Sequence, residues 1–210
     1  MSKIKIGWSE VDITPKKGTK INLAGQFFER ITDEVESPIS VTAFALESGD
    51  EQMIICSCDL VGVANNLVRL VKEKLVSYKE INPDKVIINA IHTHTSYVYA
   101  QDNELLRGKE TSLMAGNSVQ YLKTIIPKDM EYVPLTSGEK GMDPNDALAF
   151  LVDKITEAIV CAWENRKEGY YKNEFGRAVV GMCRRVCYDD GSALMWGDQL
   201  LSLQILQLCS

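Results

Sequence analysis

Residues 53–94, MIICSCDLVGVANNLVRLVKEKLVSYKEINPDKVIINAIHTH, decide the fold. Met53 to Cys58 is a nearly continuous apolar run of strand length, closed by Asp59 and a loop marked by Gly62. From Ala64 the apolar positions are Ala64, Leu67, Val68, Val71, Leu75 and Tyr78. That spacing of three and four, with Lys72, Glu73, Lys74 and Lys79 off the stripe, predicts an amphipathic helix. Asn82-Pro83-Asp84 reads as a turn, and Lys85 to Ile91 as a second strand rich in branched residues. Strand, helix, strand over this distance is a βαβ unit, whose two strands run parallel.

Outward from this unit, Val41 to Leu46 reads as a strand joined to Met53–Cys58 through the turn Ser48-Gly49-Asp50-Glu51, making a hairpin. Ile4 to Trp8 alternates as a short strand, Asp12-Ile13-Thr14-Pro15 breaks it, and a Gly-containing loop runs from Gly18 through Gly25 towards Phe27 and Phe28. Beyond Thr95 the pattern weakens to about Gly141, with Tyr97, Tyr99, Tyr121 and Tyr132 among polar residues; this reads as a long excursion around a cleft. Asp143 and Pro144 then supply a cap and a first helical residue, and Ala147 to Lys167 carries a helical stripe that Gly169 stops. Gly176–Met182, Arg184–Tyr188 and Ser192–Trp196 read as strands, the last two joined by a turn at Asp189-Asp190-Gly191. The expected fold is α/β, a mixed and partly parallel sheet with flanking helices, forming an incomplete domain over residues 1–198. Residues 199–210 carry no charge and six Leu or Ile, and read either as a last strand or helix packed on the core or as an apolar tail out of domain context, which offers a self-association surface.

The 210 residues are 45% hydrophobic and 25% charged, enough apolar surface for a core. Net charge −6 and pI near 5.1, without a basic block, argue against phosphate-backbone binding, so no nucleic-acid partner is expected. No run approaches the roughly 18 apolar residues of a membrane helix, and Met1 to Trp8 lacks an apolar signal region; a cytoplasmic location is expected. The cysteines (Cys56, Cys58, Cys161, Cys183, Cys187, Cys209) show no CxxC pair or zinc-ribbon spacing and are expected to be reduced and structural. There is no P-loop, GxGxxG or GxSxG elbow.

Chemistry concentrates in His92 and His94, the two histidines of the chain, directly after an apolar strand. Residues i and i+2 of a strand share a face, so both rings can approach one centre, as two metal ligands or as one ligand with a neighbouring base. A catalytic zinc takes three protein ligands and a water, so two histidines do not complete it. The plainer alternative is a half-exposed pair at a strand end, one of them bonding a carbonyl. Asp59 ends the neighbouring strand and suits either orienting a ligating imidazole or capping the loop or helix beyond it. Of Arg184 and Arg185, at most one faces the cleft, where a guanidinium suits a carboxylate or amide carbonyl; the alternative is a surface ion pair.

Gly7-Trp8-Ser9-Glu10-Val11-Asp12-Ile13-Thr14-Pro15, Cys58-Asp59-Leu60-Val61-Gly62, Ala90-Ile91-His92-Thr93-His94-Thr95 and Gly181-Met182-Cys183-Arg184-Arg185-Val186, followed by Asp190-Gly191-Ser192-Ala193, together resemble the neutral/alkaline (non-lysosomal) ceramidase family, in its order, from about Gly7 to Gly197. The resemblance implies a zinc-dependent amidohydrolase cleaving an N-acyl bond of a sphingolipid or a soluble amide. It implies His92 as a zinc ligand, His94 beside the reacting centre placing or deprotonating the attacking group, and Arg184 aimed at the substrate. The family's second zinc histidine, its glutamate and tyrosine ligands and its Asp-x-Ser-Pro-Asn serine have no match here. The chain is therefore expected to be an N-terminal piece, inactive alone, with weak or absent zinc binding.

Two other readings compete. HxH amidohydrolases on a TIM barrel place the motif after the first strand, whereas two or three strands precede it here, and the chain is short for a barrel of about 250 residues. A non-enzymatic scaffold or interaction module with a vestigial HxH is the second.

Overall fold

A computed structural model describes residues 4–25, 30–101, 141–177 and 185–195. The chain forms two compact units, residues 1–170 and 171–210.

The first unit is built on a five-stranded sheet. Its strands are β1 (Ile4–Asp12), β4 (Ser40–Ser48), β5 (Glu51–Cys58), β6 (Val86–Ala90) and β7 (Lys167–Gly169), in the order β6-β5-β4-β1-β7. β5 and β6 pair in parallel, joined by helix α1 (Asn65–Leu75); the other neighbours are antiparallel. The βαβ unit and the hairpin therefore form as the sequence predicts. Short strands β2 (Ile21–Asn22) and β3 (Ile31–Thr32) make a separate ribbon.

Period-two alternation sorts the sheet into two faces. Val41, Ala43 and Ala45 of β4 and Ile54, Cys56 and Cys58 of β5 are fully buried on the face that carries α1 and α2 (Pro144–Glu164). Leu67, Val71 and Leu75 meet them from α1, and Leu151, Ile155, Ala158 and Ile159 from α2. Burying each such large apolar side chain is worth roughly 1.5–3 kcal/mol, so these matched faces, more than helix propensity, hold the layers together. Small residues let α2 lie close: Ser9 Oγ donates to the Ala158 carbonyl at 2.6 Å. On the other face Trp8, Phe44, Ile55 and Ile87 stand in cross-strand register, with Trp8 72% and Ile87 55% exposed.

Asp12-Ile13-Thr14-Pro15 is a corner stitched by side chains. Asp12 Oδ1 accepts from the Thr14 N–H (2.7 Å), the Thr14 hydroxyl accepts from the Ile39 N–H (2.9 Å), and the buried Tyr97 hydroxyl donates to the Ile13 carbonyl (3.1 Å). Asp143 caps α2 by accepting from the N–H groups of Asn145 (2.8 Å) and Asp146 (3.3 Å), with Pro144 in the first turn, as expected.

Two local expectations are corrected. The stripe from Ala64 reaches Tyr78, yet α1 ends at Leu75 and Tyr78 closes a turn outside it. The stripe of α2 is expected to run to Lys167 and stop at Gly169, yet the helix ends at Glu164 and Lys167–Gly169 pairs with Ile4–Ile6 as β7. Beyond the helix end Arg166 Nε donates to Glu47 Oε2 at 2.7 Å, and the residues after it pair along the free edge of β1. Tertiary pairing there overrides the helical pattern.

In the second unit β8 (Arg185–Cys187) and β9 (Ala193–Met195) form an antiparallel hairpin around a turn at Asp189–Gly191. No helix or strand occurs in residues 171–177, and the rest of the expected strand Gly176–Met182 lies outside the described residues, as does the tail 199–210. Among the described residues no helix is long and apolar enough to cross a membrane.

Candidate functional site

β6 ends at Ala90, so neither His92 nor His94 belongs to a strand and alternation does not set their rings. Backbone turning does. His92 has φ 68°, a left-handed conformation that β6 could not continue through and that costs a non-glycine residue on the order of 1–2 kcal/mol. The turn brings the N–H groups of His92 (3.0 Å) and Thr93 (3.1 Å) to the single Leu60 carbonyl.

The result is the juxtaposition the HxH spacing suggested, reached by another route. The two rings meet edge to face with centroids 5.0 Å apart, and their Nε2 atoms are separated by 3.4 Å. His92 Nδ1 lies 2.6 Å from the Val61 carbonyl oxygen. A carbonyl only accepts, so Nδ1 carries the proton and, in the neutral ring, Nε2 presents its lone pair. That lone pair faces His94. Both rings keep access to solvent, His92 being exposed and His94 half-buried.

Asp59 does not supply the oxygen at His92 Nδ1; the Val61 carbonyl does. Asp59 Oδ2 instead accepts from the Ser40 N–H (2.8 Å), and the Asp59 N–H donates to the Ser40 carbonyl (3.0 Å). It thus fastens the end of β5 to the start of β4, immediately before the Leu60 and Val61 carbonyls that seat His92. Arg184 lies outside the described residues.

Two residues that the motif reading passed over complete the setting of His94. Gly25, with φ 87°, lies under the imidazole: a Cβ there would fall 2.5 Å from His94 Cγ and 2.7 Å from Cδ2. Arg30 Nη2 donates to both the Ala24 carbonyl (2.9 Å) and the His94 carbonyl (2.6 Å). The glycine in a loop was a visible signal of close approach; nothing local marks Arg30.

A tetrahedral ion bound by two nitrogens at about 2.1 Å holds them roughly 3.4 Å apart, which equals the distance between the two Nε2 atoms. Among the described residues no group of three or more His, Cys, Asp or Glu could hold a metal ion. The shallow groove beside α1, lined by Val68, Lys72, Val76 and Pro83, includes neither histidine.

No family model and no curated protein matches the sequence. In fold the chain is similar to the crystal structure of neutral ceramidase from Pseudomonas aeruginosa, with 17% identity and TM-score 0.59, covering 80% of this chain and 23% of that one. It is likewise similar to a structure of ceramidase complexed with C2, with 15% identity and TM-score 0.52, covering 80% of this chain and 22% of that one. At these identities the likeness is one of fold. The chain spans under a quarter of the length of either structure.

Proposed function

We propose that this chain forms part of a metal-dependent hydrolase acting on an N-acyl amide, a lipid amide such as ceramide or a soluble one, and that alone it does not turn over. The observation that carries this reading is the 3.4 Å approach of His92 Nε2 to His94 Nε2. The ceramidase fold of the solved neighbours supports the hydrolase class, and the resemblance of the motifs supports zinc.

In this reading His92 donates the Nε2 lone pair to the metal, its tautomer fixed by the Val61 carbonyl. A zinc ion supplies polarisation of the amide carbonyl and a lowered pKa for the attacking group. His94 holds or moves the proton at its Nε2, first taking it from the attacking group and then giving it to the amine that leaves. Net hydrolysis consumes one water and yields a carboxylate and an amine. A second arrangement has the same distance in its favour: both imidazoles bind the cation together, and another group handles the proton. Ligand number supports inactivity of the isolated chain: among the described residues the two imidazoles have no third protein ligand beside them to complete a catalytic zinc site.

Calorimetric zinc titration of the chain and of His92→Ala tests the site. Weak binding near one equivalent that the substitution removes supports it; identical titrations end it. Hydrolysis of a fluorogenic N-acyl sphingosine or N-acyl amino acid by the purified chain would overturn the claim of inactivity.

A further inference from the structure

We propose that Arg30 is the positioning residue of the histidine pair: by bridging the carbonyls of Ala24 and His94 it seats the His94 imidazole on Gly25, within reach of His92. This inference rests on reading the pair as a cation site.

The two histidines are held from different parts of the chain. His92 is fixed by the loop after β5, through the Leu60 carbonyl at its N–H and the Val61 carbonyl at its ring. His94 is fixed from the β2–β3 ribbon. Backbone bonds tie that ribbon to the chain beyond the histidines: Ala24 N–H donates to Ser96 (2.8 Å) and Val98 N–H to Asn22 (2.9 Å), while Leu23 and Tyr97 form an antiparallel bridge. This ladder begins at Ser96, two residues after His94. The Arg30 bond carries the attachment back to residue 94 itself.

Arginine suits the task. One Nη2 carries two hydrogens in the guanidinium plane, so a single atom serves two carbonyls in a fixed relation. Arg30 is itself held in place, its own carbonyl accepting from the Leu23 N–H (2.8 Å). The guanidinium is partly buried, where charge-assisted bonds are stronger than in water, and burial moves its pKa below the usual value. Gly25 completes the seat, since any Cβ there would collide with the ring that Arg30 pulls down. His94 is thus clamped at its carbonyl and supported beneath its ring.

The test compares the chain with Arg30→Met, which keeps length and loses the donors, and Arg30→Lys, which restores a cation. In the wild type a nuclear Overhauser contact is expected between the Gly25 Hα and the His94 Hδ2. Arg30→Met is expected to lose that contact and to weaken zinc binding about tenfold or more, with amide resonances of β1, β4, β5 and β6 unmoved. Arg30→Lys recovers part of both. An unchanged contact and unchanged zinc affinity in folded Arg30→Met overturn the proposal. Should Arg30→Met fail to fold, the wild type decides: Nη2 hydrogens of Arg30 slow to exchange and close to His94 Hα support the clamp, and a freely rotating guanidinium refutes it. If His92→Ala titrates zinc as the wild type does, the cation-site reading falls, and the Gly25–His94 contact still judges Arg30.

Discussion

The carbonyl oxygen of Ala162 in α2 lies where a Cβ on Gly7 of β1 would come within 2.2 Å of it. The helix end therefore rests on bare strand backbone. The next atoms a methyl would meet are the backbone N and Cα of Arg166, at 2.8 and 3.0 Å, so no side chain can swing aside. Gly7→Ala is expected to destabilise the fold by about 1–3 kcal/mol through overpacking, lowering the urea midpoint at unchanged slope. A wild-type midpoint would mean that the helix end does not sit on this strand.

Gly25→Ala separates the site from the fold. At φ 87° an alanine is strained by on the order of 1–2 kcal/mol, and its methyl occupies the volume of the His94 ring. With the pair as the proposed cation site, zinc affinity is expected to fall at least about tenfold, while the sheet keeps its circular-dichroism signature. Calorimetry beside far-ultraviolet spectra checks this, and retained affinity would show that the ring does not need the glycine.

Tyr97 predicts an alkaline limb. Burial, with lesser contributions from Cys58 and Asp12, raises its phenol pKa well above the ordinary value of about 10. The folded state therefore keeps the proton that the unfolded state releases. Its contribution to stability is whole below about pH 10 and declines as pH rises from there towards the folded pKa. Tyr97→Phe loses the bond to the Ile13 carbonyl, about 0.5–1.5 kcal/mol at neutral pH, and should show a shallower decline above pH 10. Parallel urea midpoints from pH 8 to 11 decide the matter.

Asp143 predicts an acid limb. Its carboxyl is held below the ordinary carboxylate value by the N–H groups of Asn145 and Asp146. A depressed folded pKa means stability present above the unfolded value near 3.9 and lost as pH falls through the folded one. Asp143→Ala should lower the thermal midpoint at pH 7 and reduce the drop between pH 5 and 2. A drop equal to the wild type's would remove Asp143 as its source.

Much of this could be read along the chain, and the reason is locality. Alternation in β4 and β5, the three-and-four spacing of α1 and the Asp143-Pro144 start of α2 are set by neighbours a few residues apart. They fix the parallel pair, the hairpin and the buried face. The HxH spacing likewise allowed the two rings to come near each other, as they do at 5.0 Å between centroids.

How those rings meet was decided by the tertiary structure. A strand would have placed His92 and His94 by alternation; instead the left-handed turn at His92 and the Leu60 and Val61 carbonyls place one, and Gly25 and Arg30 the other. Arg30 and His94 are 64 positions apart, and a hydrogen bond to a backbone carbonyl leaves no trace in side-chain identity at the accepting end. The end of α2 at Glu164 is likewise a place of long-range contact: Arg166 bonds the Trp163 carbonyl of its own helix and also Glu47, 119 positions away. Local patterns specify which surfaces are apolar and where chains turn; contacts across the fold choose which polar groups face one another.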